Sequence, residues 1–180
     1  EDAKKCAQLH HSNILQTLDV GQHNDFWYVA YEFIESLTLE EIITQKISLN
    51  VEHVVYICTE VLIALHYAQT QHAEPSFHNN LTPRQILITK QGGIKIRGFS
   101  VHPTLPDDSS FRNPNSTDAH KQDMYSVGKI LEKLISLCQS SVDDLTRISI
   151  QACAKEKDIQ FRTPKAMYDI LLIRYPIKGT

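Results

Sequence analysis

Val51, Val54, Val55, Cys58, Val61, Leu62, Leu65 and Ala68 recur at three- and four-residue steps behind Asn50, a residue suited to capping a helix. That many apolar positions around one helix predict burial over much of its circumference. Other elements must enclose such a helix, and 180 residues are ample for the core this requires.

The remaining pattern supplies the enclosing elements. Residues 1–10 have the look of the last turns of a helix, with Ala3, Cys6, Ala7 and His10 on one face. Ile14–Val20 and Phe26–Phe33 are β-rich around the turn chemistry of residues 21–25, which predicts a hairpin. Thr38-Leu-Glu-Glu41 has capping-box spacing and should open a short helix to about Gln45. A second hairpin is expected from Ile86–Thr89 and Ile94–Ile96. Residues 101–118, with three prolines and little periodicity, read as a loop. Helices return around Val127–Cys138 and Leu145–Cys153, and Thr163-Pro164 opens a last one. The expectation is an α+β, mainly helical fold with two small hairpins among five or six helices.

Charge and cysteine usage narrow the function classes. With 18 Lys+Arg against 21 Asp+Glu, the chain lacks the basic surface of a nucleic-acid binder. Its four cysteines are scattered, without a C-x-x-C pair, and read as reduced thiols in a cytoplasmic protein. No membrane span is expected, and the opening Glu-Asp-Ala-Lys-Lys is not a signal peptide. The missing initiator Met suggests a trimmed or excised chain.

Seven short motifs then follow one another in a suggestive order. They are His11-Ser-Asn-Ile14, Tyr28-Val-Ala-Tyr-Glu-Phe-Ile-Glu35, His78-Asn-Asn-Leu-Thr-Pro-Arg-Gln-Ile-Leu87, Ile94-Lys-Ile-Arg-Gly-Phe-Ser100, Phe111-Arg-Asn-Pro-Asn115, Asp123-Met-Tyr-Ser-Val-Gly128 and Arg162. Each is weak alone. In this order the chain resembles the protein kinase family, especially the bacterial eukaryotic-like serine/threonine kinases. The resemblance implies an N-lobe remnant over residues 1–35 (end of helix C, two strands, hinge) and a kinase-like C-lobe over 36–180. It places Tyr31 at the gatekeeper and Glu32, Phe33 and Ile34 along the hinge. Leu81, Pro83, Ile86, Leu87, Phe99, Asp123 and Gly128 match the family's packing positions.

The departures fall on the chemistry. The catalytic-loop Asp, which in the family accepts the substrate proton, is Asn80 here, and a carboxamide cannot act as a general base near neutral pH. The metal-binding Asn is Gln85, and the metal-binding Asp of D-F-G is Gly98, which has no side-chain oxygen. Asp2 stands where the family has the helix C Glu. The family's Gly-rich loop and strand Lys have no counterpart among the 180 residues. The Glu of A-P-E is Asn115, which reduces its pairing with Arg162, and there is no room for the family's helix G between Cys138 and Val142.

The reading is a truncated pseudokinase with no catalytic residue, no cofactor and no metal, in which ATP binding is not expected. His78, Phe99, Asp123 and Arg162 are read as structural. Cys58 and Cys153 are read as core thiols, and His10, His11, His66 and His72 lack the spacing of a metal site. Trp27 and Tyr28 read first as packed strand aromatics, with a partner surface as the sharper alternative. Its role is then scaffolding or regulation, with a protein partner or a second copy covering the unpaired edge of the 14–33 hairpin. The competing reading is a residual nucleotide binder or weak kinase-like phosphotransferase, using Gln85 with Asp107 or Asp108 as unorthodox ligands. Ser109, Ser110, Ser116 and Thr117 are candidate phosphorylation positions in a loop rich in hydroxyls.

Overall fold

The computed structural model describes residues 7–71, 73–99, 109–114, 116–139, 142–154 and 161–176. In chain order its elements are β1 (Thr17–His23), β2 (Phe26–Tyr31), β3 (Ser36–Thr38), α1 (Leu39–Thr44), α2 (Val51–Thr70), β4 (Ile86–Thr89), β5 (Ile94–Ile96), α3 (Ala119–Ile135), α4 (Asp143–Cys153) and α5 (Pro164–Arg174). Short 3₁₀ turns at Pro83–Gln85 and Ser109–Phe111 join them.

Helix α2 is the axis of the core. Asn50 caps it by accepting a hydrogen bond from the His53 N–H at 2.7 Å, and ten of its residues are buried. It packs against α3, α5 and β5, so its apolar residues face neighbours on several sides. Among the described residues it has the length and apolarity to cross a membrane, where no span is expected from the sequence. More than half of its apolar window lies inside the protein, as a core helix requires.

The strands form two sheets. β1 and β2 pair antiparallel in one, and β3, β4 and β5 form the other in that order. The first hairpin turns more tightly than its composition suggested. His23 still pairs with Phe26, and the bend is confined to Asn24 and Asp25, with Asn24 at φ 53°. Strand β1 begins at Thr17 rather than Ile14, which instead makes a single parallel bridge to Ile96. β2 ends at Tyr31, short of the expected Phe33. The second sheet gains β3, which three residues of mixed polarity could not announce; it pairs through Ser36 with Thr89 and Thr38 with Leu87.

Thr38 and Glu41 close the predicted capping box, since the Thr38 hydroxyl accepts from the Glu41 N–H and Glu41 accepts from the Thr38 N–H. Helix α3 starts well before the expected Val127, at Ala119. Asp118 caps it, accepting from the N–H groups of His120 and Lys121, which places Asp123 inside the helix. α3 and α4 approach closely at Gly128, where a Cβ would lie 2.7 Å from both the Ala152 Cβ and the Cys153 Sγ.

Residues 1–6 and 100–108, and with them Asp2, Cys6, Asp107 and Asp108, lie outside the described residues, as do His72 and Asn115. Of the expected first helix, residues 7 and 8 form a turn, His10 is exposed, and the buried anchor is Leu9. Cys58 is buried as expected, whereas Cys153 is half-buried against α3.

Candidate active-site cleft

His78 is the centre of the loop that follows α2. It is buried, its ring lies 5.0 Å from that of Phe99, and its Nε2 bonds the carbonyl of Arg97 at 3.0 Å. That carbonyl can only accept, so Nε2 carries the proton. From below, the Asp123 carboxylate accepts the N–H groups of His78 at 3.0 Å and Asn79 at 2.8 Å. One side chain of α3 thereby sets the loop, including Asn79 in the left-handed region at φ 64°.

Burial dominates the titration of this pair. It pushes the His78 imidazole down to about 4, against the pull of its backbone hydrogen bonds. It pushes the Asp123 carboxyl up to about 7, although the two N–H donors favour the ionised form. Neither group reaches solvent, and both serve the loop's backbone.

The loop brings Gln85 and Gly98 together. A Cβ on Gly98 would sit 3.6 Å from Gln85 Cγ and 4.0 Å from His78 Cε1, and Gly98 has φ +88°. The Gln85 side-chain oxygen is already engaged, accepting from the Thr82 N–H at 3.1 Å and from the Thr82 hydroxyl. A carboxamide oxygen committed to two donors is a poor ligand for Mg²⁺, which demands ideal octahedral geometry. Asn80 stands half-buried beside them, its N–H on His78 Nδ1 at 3.4 Å. Asn80, Gln85 and Gly98 together present no carboxylate, and among the described residues no cluster of His, Cys, Asp and Glu could hold a metal ion.

The upper wall joins the hairpin to the second sheet. Glu32 receives the Lys95 ammonium at 2.8 Å and the Gln16 N–H at 3.1 Å, which hold its carboxyl below the usual range. Beside it Tyr31 and Ile34 are half-buried, whereas Phe33 is 89% exposed. The segment before β1 is fixed by Asn13, whose Nδ2 donates to Glu60 on α2 at 2.6 Å and to the Ile94 carbonyl at 2.9 Å. His11 stacks on Tyr67, ring centroids 4.6 Å apart.

Two features carry little sequence signal. Gln122 and Ser126, one turn apart on α3, both donate to the Phe111 carbonyl, and Gln122 also accepts from the Asn113 N–H. Their signal was two polar residues on an otherwise apolar helix face. The second is His120, whose Nε2 donates to the Arg162 carbonyl. Arg162 is exposed, and its main chain is what α3 holds.

Two small sheets set against a helical body, with the 78–99 segment between them, is the architecture of the protein kinase fold. The protein kinase domain family matches residues 2–166. This chain belongs to the protein kinase family. It is 25% identical over 193 aligned positions to a probable serine/threonine-protein kinase of Clostridium perfringens, covering 96% of this chain and 28% of that protein. It is 26% identical to the serine/threonine-protein kinase PrkC of Bacillus subtilis, covering 92% of this chain and 26% of that one. The chain thus spans roughly a quarter of the length of these relatives. The kinase domain of PknI from Mycobacterium tuberculosis superposes with a TM-score of 0.78 at 18% identity, covering 97% of this chain and 76% of that structure.

Proposed function

We propose that this is a kinase-like domain that has lost phosphotransfer and serves as a protein-interaction, scaffolding or regulatory module in the cytoplasm. The observation that carries this reading is the chemistry at three matched positions. Asn80 cannot take a proton, Gly98 offers no oxygen, and the Gln85 oxygen is held by Thr82. Phosphoryl transfer depends on positioning and on metal neutralising the developing charge, so losing both ligands removes the mechanism rather than slowing it. The packing positions around them, Leu81, Ile86, Phe99 and Asp123, are all buried and keep the fold. Free cysteines at 58, 138 and 153 accord with a reducing compartment.

The relatives named as kinases favour the second reading, residual nucleotide binding or weak transfer. It needs a ligand set to replace Gly98, and Gln85 is already engaged.

The interaction surface is the hairpin. On its two strands Leu18, Phe26, Trp27 and Tyr28 are all exposed, Phe26 by 77% and Trp27 by 74%. Strand aromatics normally pack, and apolar side chains gathered on a two-stranded sheet mark a surface used for contact. On this reading the hairpin is covered by another protein chain or by a second copy. The double variant Phe26→Ser/Trp27→Ser is expected to abolish association measured by analytical ultracentrifugation while leaving the melting temperature within a few degrees. A wild-type chain that stays monomeric, with or without the other cellular proteins it purifies alongside, contradicts the proposal.

A further inference from the structure

We propose that the groove between α3 and α4 is a docking site for an amphipathic helix of another protein, one with aliphatic side chains on one face and a basic residue beside them. The inference rests on the reading of the chain as an interaction module and gives it a second surface, distinct from the hairpin. The groove has a volume of about 480 Å³, walled by Glu132 and Ile135 of α3 and by a stripe of α4 that runs from Thr146 through Ile150 to Cys153. Those stripe residues stand four and three apart, so they share one face over two helical turns, about 10 Å. Ile150 is left 62% exposed there. α3 ends at Ile135 and α4 begins at Asp143, and among the described residues none of that short connection lines the groove. The connection is tied elsewhere, its Leu137 carbonyl accepting from the Leu49 N–H at 3.2 Å, ahead of α2.

The polar atoms of the wall decide what can lie against it. The Thr146 hydroxyl donates to the Val142 carbonyl at 3.1 Å, and the Ser149 hydroxyl to the Gly128 carbonyl at 2.9 Å. The Cys153 thiol points its hydrogen at the Tyr125 carbonyl, 3.7 Å away. Every hydroxyl and thiol hydrogen of the lining is thus committed inside the protein, and the wall has no side-chain donor to offer. An extended peptide laid against it would strand its carbonyls, whereas a helix satisfies its own backbone and needs only apolar contact. Two turns of paired helices, ridged at three- and four-residue steps, are the surface into which a third helix packs. Glu132 supplies the specificity, because it is the charged residue of the lining. Lys129 engages one of its oxygens, Oε2, and the second is left to a cation on the incoming helix. An acidic helix would meet this carboxylate with nothing to receive it.

The test is selection of random peptides of about 16 residues, displayed on phage, against the whole chain carrying Phe26→Ser/Trp27→Ser. Enriched peptides are then measured by fluorescence polarisation. Because this bait lacks the hairpin aromatics, an inert hairpin would not change the outcome, and the two readings fail separately. The expected consensus has aliphatic residues at helical spacing and an Arg or Lys next to them. Ile150→Asp should weaken binding at least about tenfold, and Glu132→Arg should weaken it until the peptide's basic residue is changed to Glu. Both positions are exposed, so both variants should melt as the parent does. If Ile150→Asp does not fold, Thr146→Arg at the exposed position one turn earlier decides: weakened binding supports the site, and unchanged binding overturns it. No enriched peptide, an acidic or extended consensus, affinities unmoved by Ile150→Asp, or a charge exchange at Glu132 that restores nothing also overturns it.

Discussion

Asp123→Ala is expected to cost about 2–6 kcal/mol, because two buried N–H donors lose their acceptor at about 1–3 kcal/mol each. Its carboxylate is the partner of the His78 and Asn79 N–H groups, and the residue is fully buried. Alanine leaves both donors facing an apolar void, so the desolvation penalty is not recovered. Asn79 is held at φ 64°, a conformation that persists only while neighbouring bonds enforce it. A loss of that size is a large fraction of the about 5–15 kcal/mol that stabilises a typical domain. Urea denaturation measures it, and amide exchange at His78 and Asn79 locates it. A cost under about 1 kcal/mol with both amides still protected would show that α3 does not hold the loop.

The second large effect is in the pH dependence of stability. The folded-state pKa of His78, lowered by burial to about 4, lies below its ordinary 6.5. Its contribution is therefore complete above pH 6.5 and is lost as pH falls through 4. Asp123 has the opposite sign. Burial raises its folded-state value from 3.8 to about 7, so its contribution is complete below 3.8 and is lost as pH rises through 7. Between these limits the two slopes oppose, each about 1.4 kcal/mol per pH unit, and the wild-type pair is close to neutral. Asp123→Asn removes one slope and exposes the other. From pH 7 to pH 4 the stability gap between wild type and variant should widen by about 3 kcal/mol in favour of the wild type. Parallel denaturation profiles for the two proteins across that range would contradict the assignment.

Much of the fold was legible because its determinants are local. The Asn50 cap with its apolar spacing gave α2, and the Thr38–Glu41 box gave α1. What escaped was decided by tertiary pairing. β3 exists because β4 offers it an edge, and Ser36-Leu-Thr38 has no alternation long enough to be read. The hairpin's true turn was hidden because Gly21, Gln22 and His23 have turn-like composition but pair with Tyr28, Trp27 and Phe26. The place suits glycine because Tyr28 lies over it, its hydroxyl oxygen 2.5 Å from where a Cβ would stand.

The candidate site divides in the same way. The departures at Asn80 and Gly98 are legible from residue identity set against the family's motifs. The engagement of Gln85 by Thr82 and the hold of Gln122 and Ser126 on Phe111 are three-dimensional facts. A side chain's hydrogen-bond partner depends on the path of another segment, which spacing does not encode.

The central claim is that this kinase fold is retained without its chemistry. Its most direct test is transfer of the γ-phosphate of ATP, with Mg²⁺ or Mn²⁺ present, to the protein itself and to generic serine/threonine substrates, with labelled sites mapped by mass spectrometry. The predicted result is no product above the enzyme-free blank with either metal. Metal-dependent phosphate incorporation by the wild-type protein, abolished by Gln85→Ala, would contradict it.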